Sequence, residues 1–345
     1  MTLTPVLDPV KPAVAGASKG QHPVVGFLVR RLGAALVTLW LLSVLIFLAT
    51  SVLPGDAASA ILGRQASGSA LAELRAEMGL DTALIQQYLT WITGLLQGDL
   101  GQSATTYLSG ADVSIWSQVS GKLANSAALA TAAFVPIVIL SLILGAYSAS
   151  RSGRWQDHLI STATVLPASL PEFVLGALLT AVFFSWLGIL PPVSLIPPGQ
   201  SAFADPQLLV LPVLVLVGVT VGPASRMIRA GMLETLQSNM VTVARLNGIA
   251  EPRVVRRYAL RNSLAPSIVV FGLIAQYLIG GLLVVEYMFA YPGIGKELVD
   301  ALSINDNAAV ASVTMLLATI FVGITVLADL LVLLVVPKLR TGTAE

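Results

Sequence analysis

The 345-residue sequence contains no cysteine and only two histidines, His22 and His158. The first absence excludes disulfides, thiolate metal sites and cysteine nucleophiles. The second leaves little from which to build a zinc centre or a histidine-based active site. His22 stands in a polar leading segment and His158 beside Asp157 at the edge of a connection, so neither is read as catalytic. Charge is scarce as well. Asp, Glu, Lys and Arg make up 11% of the chain, against about 25% in a typical soluble domain, too little polar surface to face water all round. The net charge of +1 provides no global field to attract nucleic acid. A G-x-x-x-x-G-K-[ST] loop, the usual cradle for nucleotide phosphates, is also missing.

What is abundant is hydrophobicity: 56% of the residues, gathered into runs. Six windows reach or approach the roughly 20 apolar residues that a helix needs to cross the hydrocarbon layer. They begin at Leu32, Ser126, Val165, Leu208, Ser267 and Ala308, the fourth being the shortest. Cations in the connections orient them. Lys11, Lys19, Arg30 and Arg31 come early, Arg151 and Arg154 lie in the second connection, and Lys338 and Arg340 follow the sixth span. The fourth connection holds Arg226, Arg229, Arg245, Arg253, Arg256, Arg257 and Arg261. The first, third and fifth connections are poorer in cations and carry acids such as Asp56, Asp99, Asp112, Asp205, Glu297 and Asp300, although Arg64 lies among them. The expected fold is an all-α integral membrane protein with six transmembrane helices, its N and C termini and even-numbered connections cytoplasmic.

Residues 1–26 lack apolar periodicity and read as a mobile cytoplasmic tail. The first apolar run is too long, and starts too far along, for a signal peptide. Residues 27–121 would form a first unit, the first span plus a long extracytoplasmic helical segment. Residues 122–340 would hold the other five helices, with a cytoplasmic loop at 226–266. In the outer segment Leu71, Leu74 and Met78 share a helical face closed by Gly79, and Leu84, Tyr88, Trp91 and Leu95 share another. These faces predict short amphipathic helices, either lying at the outer interface, a depth that suits Tyr88 and Trp91, or forming a small subdomain without a ligand role.

The densest run of arginines falls in "MVTVARLNGIAEPRVVRRYALRNSLAP", from Met240 to Pro266. Ser238 or Asn239 can cap a helix of about two turns that Gly248 ends in the left-handed conformation. Pro252 suits the first turn of a second helix, expected to end before Pro266. In that helix Arg253, Arg257 and Arg261 share one face, where like charges at i,i+4 repel, so something acidic should meet them. Lipid phosphate is one candidate; the carboxylates of a cytoplasmic protein, whose groove would receive the first helix, are the other. Topology requires arginines but not a defined turn, and the turn favours the protein.

Helix, glycine turn and helix resemble the cytoplasmic signature loop of permeases of binding-protein-dependent ABC importers. Gly248 stands for the loop glycine, Ala244 for the alanine four residues before it, and Pro266 for the closing proline. "ARLNG" followed by "RVVRRYALRNSLAP" is similar to the dipeptide/oligopeptide/nickel branch. "RRLGAALVTLWLLSVLIFLATSVLPGD", "LAELRAEMGLD", "QQYLTWITGLLQGDLGQS", "SLPEFVLG", "VEYMFAYPGIGKELVDAL" and "VLADLLVLLVVPKLR" resemble further blocks in the same order, so that the resemblance covers about residues 27–340. Departures are Thr242 at the place of the leading acid, Asn247 for a lysine, Tyr258 for a histidine, and Val332 and Val336 where a tyrosine and an aspartate are frequent.

The resemblance implies the type I ABC importer permease fold in the bacterial plasma (inner) membrane. It implies a chain that is no enzyme and binds no cofactor itself, ATP and Mg residing in partner subunits. Those partners would be two cytoplasmic ATPases, a second homologous permease completing a heterodimer, and an extracytoplasmic solute-binding protein, with lipids around them. Thr242, Ala244, Arg245, Gly248, Arg253 and Arg257 are the docking candidates for the ATPase. The cargo expected for this branch is di- or oligopeptides, with nickel complexes, glutathione and some sugars as alternatives. Within the spans, Pro167 and Pro171 should kink the third helix, freeing carbonyls that could line a cavity, which makes Pro171 a candidate for the substrate path or gate. Glu172 is either a negative path residue suited to an amino group or metal cation, or a carboxylate at the cytoplasmic interface or paired with an arginine. Glu286, Pro292 and Gly293 are candidates for an outer gate, Glu286 alternatively being an interface carboxylate. Asp329, in the sixth span near Lys338, is expected to be a structural pair or cap rather than a path residue. A secondary transporter would call for paired broken helices with convergent acids, and an intramembrane enzyme for a nucleophile with a base; the scattered acids fit neither well.

Overall fold

An apolar run in hydrocarbon must satisfy its backbone N–H and C=O groups internally, which a helix does, and helices account for nearly all the regular structure. A computed structural model describes residues 23–52, 57–62, 68–104, 106, 113–197 and 199–335. The segment before Pro23 with His22, the Pro-Gly-Asp after the first span, Arg64, Asp112, Val336, Lys338 and Arg340 lie outside the described residues. Arg261 and Pro266 are described in their backbone alone. In order the helices are α1 (Pro23–Val52), α2 (Ala57–Leu62), α3 (Gly68–Glu77), α4 (Leu84–Leu96), α5 (Ile115–Ser150) and α6 (Trp155–Ala168). There follow α7 (Glu172–Thr180), α8 (Gln207–Leu236), α9 (Asn239–Leu246), α10 (Leu260–Met288), α11 (Ile294–Ser303) and α12 (Asn307–Val335).

Five of these, α1, α5, α8, α10 and α12, are long and apolar enough to cross a membrane, and α6 with α7 make a sixth span bent by 99°. The bend is sharper than the kink expected from the sequence. Pro167 occupies the last turn of α6, the Ser169 N–H closes that turn on the Val165 carbonyl, and Pro171 begins α7 with extended backbone (φ −58°, ψ 146°). Leu170, preceding a proline, is steered away from helical backbone, so the two prolines separate two helices where one would only have kinked a single one. The broken span also starts earlier than expected, at Trp155 rather than Val165. Two further boundaries differ. α8 runs on to Leu236, which places Arg226 and Arg229 on the end of the fourth span and not in the connection after it. The helix expected to stop before Pro266 continues unbroken into the fifth span; a proline costs one helical hydrogen bond and a clash, and the rest of a 29-residue helix carries it.

The centre of the molecule is α8, packed on α5, α6, α7 and α10. Leu129 and Ile137 of α5, Leu211, Val215, Leu216 and Ile228 of α8, and Ile274, Leu278 and Val285 of α10 form the core. Lipid is as apolar as leucine, so close backbone approach, rather than escape from water, holds such helices together. Glycines provide it: a Cβ on Gly145 of α5 would lie 2.7 Å from the Ser225 carbonyl oxygen, and one on Gly222 of α8 would collide with the Thr164 carbonyl of α6. At the periphery α1 packs on α12, and Arg31 pairs with Asp329 across them. Asp329 thus has a structural pair, in the first span. α4 folds back over these two helices: Tyr88 and Trp91 meet the Phe47 ring of α1 at 5.4 and 5.9 Å, and Trp91 Nε1 donates to Ser312 Oγ of α12 at 3.1 Å. Tyr88 and Trp91 of the expected face of α4 are therefore docked on protein, while Leu84 of that face stays exposed, as do Ile85, Leu89 and Leu96.

Gly222→Ala forces its methyl onto a backbone carbonyl that cannot rotate away, and overpacking of this kind costs about 1–3 kcal/mol. The expected outcome is a lower midpoint of thermal unfolding in detergent, with Gly323→Ala, where a Cβ meets nothing within 4 Å, as the neutral control.

Candidate functional site

The cytoplasmic connection between α8 and α10 is a small structure in its own right. Ser238 caps α9 with extended backbone (φ −69°, ψ 152°), though its hydroxyl turns back to the Thr235 carbonyl and leaves the helix without a side-chain cap. At the other end Gly248 has φ 74°. Its N–H donates to the Arg245 carbonyl at 2.9 Å and that of Ile249 to Ala244 at 3.2 Å, the paired bonds of a Schellman ending that needs a left-handed residue. The chain then restarts at Glu251–Arg253, widens into a π-helical turn over Val254–Ala259, and enters α10. Beneath the turn Val241, Ala244 and Val254 are buried together, with Leu236, Ile249 and Tyr258 against them.

This geometry sorts the docking candidates. Ala244 faces inward and holds the two arms together. Arg245 is spent locally: its Nε and Nη2 donate to Glu251 Oε2 and Oε1 at 3.1 and 2.6 Å, clasping the turn. The Arg245 hydrogen bonds hold the Glu251 carboxyl below its usual range. A depressed carboxylate contributes above the ordinary range and is lost only as pH falls through its folded value, so the clasp is intact at neutral pH. Thr242, Gly248, Arg253 and Arg257 are exposed, and neither arginine pairs with an acid among the described residues. The sequence reading missed the apolar side of α9, where Met240, Val243 and Leu246 are 43%, 54% and 81% exposed. Their i, i+3, i+6 spacing was the available signal; it was hidden because Val241 and Ala244 mark a second apolar face. Also missed was Asp157, which is buried and takes Arg229 Nε and Nη2 at 2.8 and 2.6 Å, the Ser148 hydroxyl, and the Gly153 N–H at 3.0 Å. It ties α5, α6 and α8 together at the cytoplasmic end.

The opposite end is built around Glu286, which is fully buried. Its Oε1 accepts from Ser126 Oγ at 2.5 Å and its Oε2 from the Gly295 N–H at 2.7 Å. Ser126 Oγ in turn accepts from the Ile294 N–H at 2.9 Å, so the carboxylate sits at the start of α11, where the helix dipole favours a negative charge. Gly293 is packed directly against it, and a Cβ there would overlap the carboxylate. Asn125 Nδ2 donates to the Pro292 carbonyl at 2.9 Å and Tyr291 hydroxyl to the Asn125 carbonyl at 2.7 Å. Lys122 pairs with Glu297, and Asp306 takes Ser103 Oγ at 2.6 Å and the Ala309 N–H at 3.0 Å. Glu286, Pro292 and Gly293 thus belong to one polar lock joining α5, α10 and α11, and Glu286 is neither at the surface nor at an interface with water.

Pro171 and Glu172 lie apart from both ends, at the break of the third span. Glu172 Oε1 accepts from the Tyr277 hydroxyl of α10 at 2.5 Å, and no arginine pairs with it among the described residues. The Tyr277 ring forms part of the wall of a cavity of about 280 Å³ between α8 and α10.

Gly293→Ala is expected to expel Glu286 from its site and loosen α11, seen as faster amide hydrogen exchange over 286–303 than in the unaltered protein, whereas Gly188→Ala, at a positive-φ surface turn, leaves that segment unchanged.

Residues 137–341 match the family described as binding-protein-dependent transport system inner membrane component. Residues 24–109 match its N-terminal companion, binding-protein-dependent transport system membrane component. The glutathione transport system permease protein GsiC of Escherichia coli (strain K12) is 32% identical over 317 residues, covering 92% of this chain and 99% of that protein. The protein of the same name from Pectobacterium atrosepticum is 32% identical over 318 residues, with the same coverage, and that of Shigella flexneri serotype 5b is 31% identical over 317.

Proposed function

The chain belongs to the family of binding-protein-dependent transport system inner membrane components, and from that membership we propose that it forms half of an import path for short peptides. It is a multi-pass permease subunit of an ABC importer in the inner membrane, not itself catalytic, and it works with ATPase subunits, a paired permease and a binding protein. The finer reading is a heterodimer with a different permease, each chain receiving one of two ATPases. Supporting the peptide assignment are relatives named for glutathione, itself a short peptide with a free amino group.

The observation that carries the coupling role is α9, a short helix held rigid by the Gly248 turn and the Arg245–Glu251 clasp, with Met240, Val243 and Leu246 turned outward. An apolar stripe on a cytoplasmic helix fits the helix-in-groove mode of recognition, and exposed Arg253 and Arg257 beside it suit a carboxylate-lined rim. Arg245 and Ala244 act as builders of this surface, and Thr242 lies beside the stripe. Because α9 hangs between α8 and α10, displacement by an ATPase reaches both helices directly. The units proposed for the chain follow the same logic: residues 27–121 cover the outer face and residues 122–340 form the moving body.

Leu246→Glu places a charge in the stripe without touching the fold beneath it, and it is expected to abolish co-purification of the ATPases and cut ATP-driven uptake at least tenfold. Gly248→Pro, incompatible with φ 74°, should do the same by breaking the turn. Stoichiometric ATPase in the Leu246→Glu preparation would sink the docking assignment.

A further inference from the structure

We propose that the cavity between α8 and α10 is a solute station inside the membrane that receives a protonated amino group at Glu172 and a small apolar group beside it. This rests on the peptide-path reading above. The cavity, of about 280 Å³, is walled by Val219, Thr220, Pro223, Met227, Ile274 and Tyr277. That is slightly below the roughly 300–1,000 Å³ of pockets that bury whole small molecules, so it suits one residue of a peptide rather than an extended chain.

Two features of the wall and one beside it suit a polar guest. Thr220 is 6% exposed, yet its hydroxyl has no hydrogen-bond partner among the described residues. Helical threonines here usually return that hydroxyl to the carbonyl four residues back, as Thr164, Thr235 and Thr325 do; Thr220 does not. One turn on, Pro223 lacks the N–H that would pair with the Val219 carbonyl. The third is the carboxylate. Tyr277 lies midway along the Ser267–Met288 span, so the Glu172 group bonded to its hydroxyl sits deep in the membrane. Glu172 Oε2 has no partner, and no lysine or arginine pairs with the group, among the described residues. A lone carboxylate at such depth is costly and ordinarily meets a cation. A Cβ on Gly281, one turn beyond Tyr277, would lie 3.3 Å from Leu216 of α8, 3.7 Å from the Tyr277 ring and 4.0 Å from Glu172 Oε1. Held on the Tyr277 hydroxyl, the carboxylate therefore lies beside the Tyr277 end of the cavity rather than in its wall. An ammonium at Glu172, its neighbouring carbonyl on the Thr220 hydroxyl and its side chain against Ile274 and Met227 would satisfy the carboxylate and the hydroxyl, leaving the Val219 carbonyl for an N–H of the guest.

The test uses the purified complex of both permeases and the ATPases, without binding protein, titrated with leucinamide and with N-acetyl-leucinamide while thermal unfolding is followed. Leucinamide is expected to raise the unfolding temperature and the acetylated form to leave it unchanged, with apparent affinity for leucinamide at least tenfold weaker in Glu172→Gln and several-fold weaker in the isosteric Thr220→Val. Equal effects of the two compounds, or leucinamide binding unaltered in Glu172→Gln, would overturn the proposal. Uptake of alanyl-leucine by the complete transporter in proteoliposomes tests the underlying reading separately. Peptide uptake without discrimination between the two amides removes the station and keeps the peptide path; discrimination without peptide uptake keeps the station and removes the peptide as cargo.

Discussion

Close contact between α8 and its neighbours is the constraint on which the rest depends. Lipid offers no hydrophobic gain for bringing helices together, so cohesion comes from dispersion over backbones that touch. Gly145 and Gly222 allow those contacts with α5 and α6. The broken third span is stable only because α8 supports both of its halves, at Gly222 for α6 and at Gly218, against Leu175, for α7. Along α8 a cavity shared with α10 remains, open to the surface at Met227 and Tyr277, and the cytoplasmic continuation of α8 is the loop that carries α9.

The two ends of the molecule are held differently. At the outer end a buried carboxylate, two serines and several backbone N–H groups knit α5, α10, α11 and α12 into one block. At the inner end Asp157 and Arg229 fasten α5, α6 and α8, but α9 is secured mainly by its own small core and clasp. Helices that line the cavity are also those from which α9 is suspended. Motion applied at the loop thus has a short route to the cavity wall, with the Val254–Ala259 π-turn, an over-wide segment of the kind found at functional positions, lying on that route.

Much of this was legible in the sequence. Span number, orientation, the left-handed Gly248 and the amphipathic character of α4 follow from hydropathy, arginine placement and apolar spacing, all of which are local; that Tyr88 and Trp91 dock on α1 and α12 does not. What was not legible depends on partners distant in the chain. Nothing near Asp329 announces Arg31, and nothing near Glu286 announces Ser126 as its partner, so their burial could not be read from spacing. Glu172 illustrates the same limit, since nothing near it announces its partner Tyr277, more than a hundred residues away. Prolines misled in both directions: two of them broke the third span where a kink was expected, and Pro266 failed to stop a helix. Whether a proline ends a helix is decided by the packing on either side of it, which local rules do not contain.

The pairing of Arg31 with Asp329 has a consequence in time. The two residues are separated by most of the chain, and at about 5–20 residues per second of synthesis the aspartate emerges roughly 15–60 seconds after the arginine. Throughout that interval the first span must sit in the bilayer with its guanidinium unmatched, reaching toward lipid headgroups with its flexible stem. α1 consequently completes this contact only once α12 has been made.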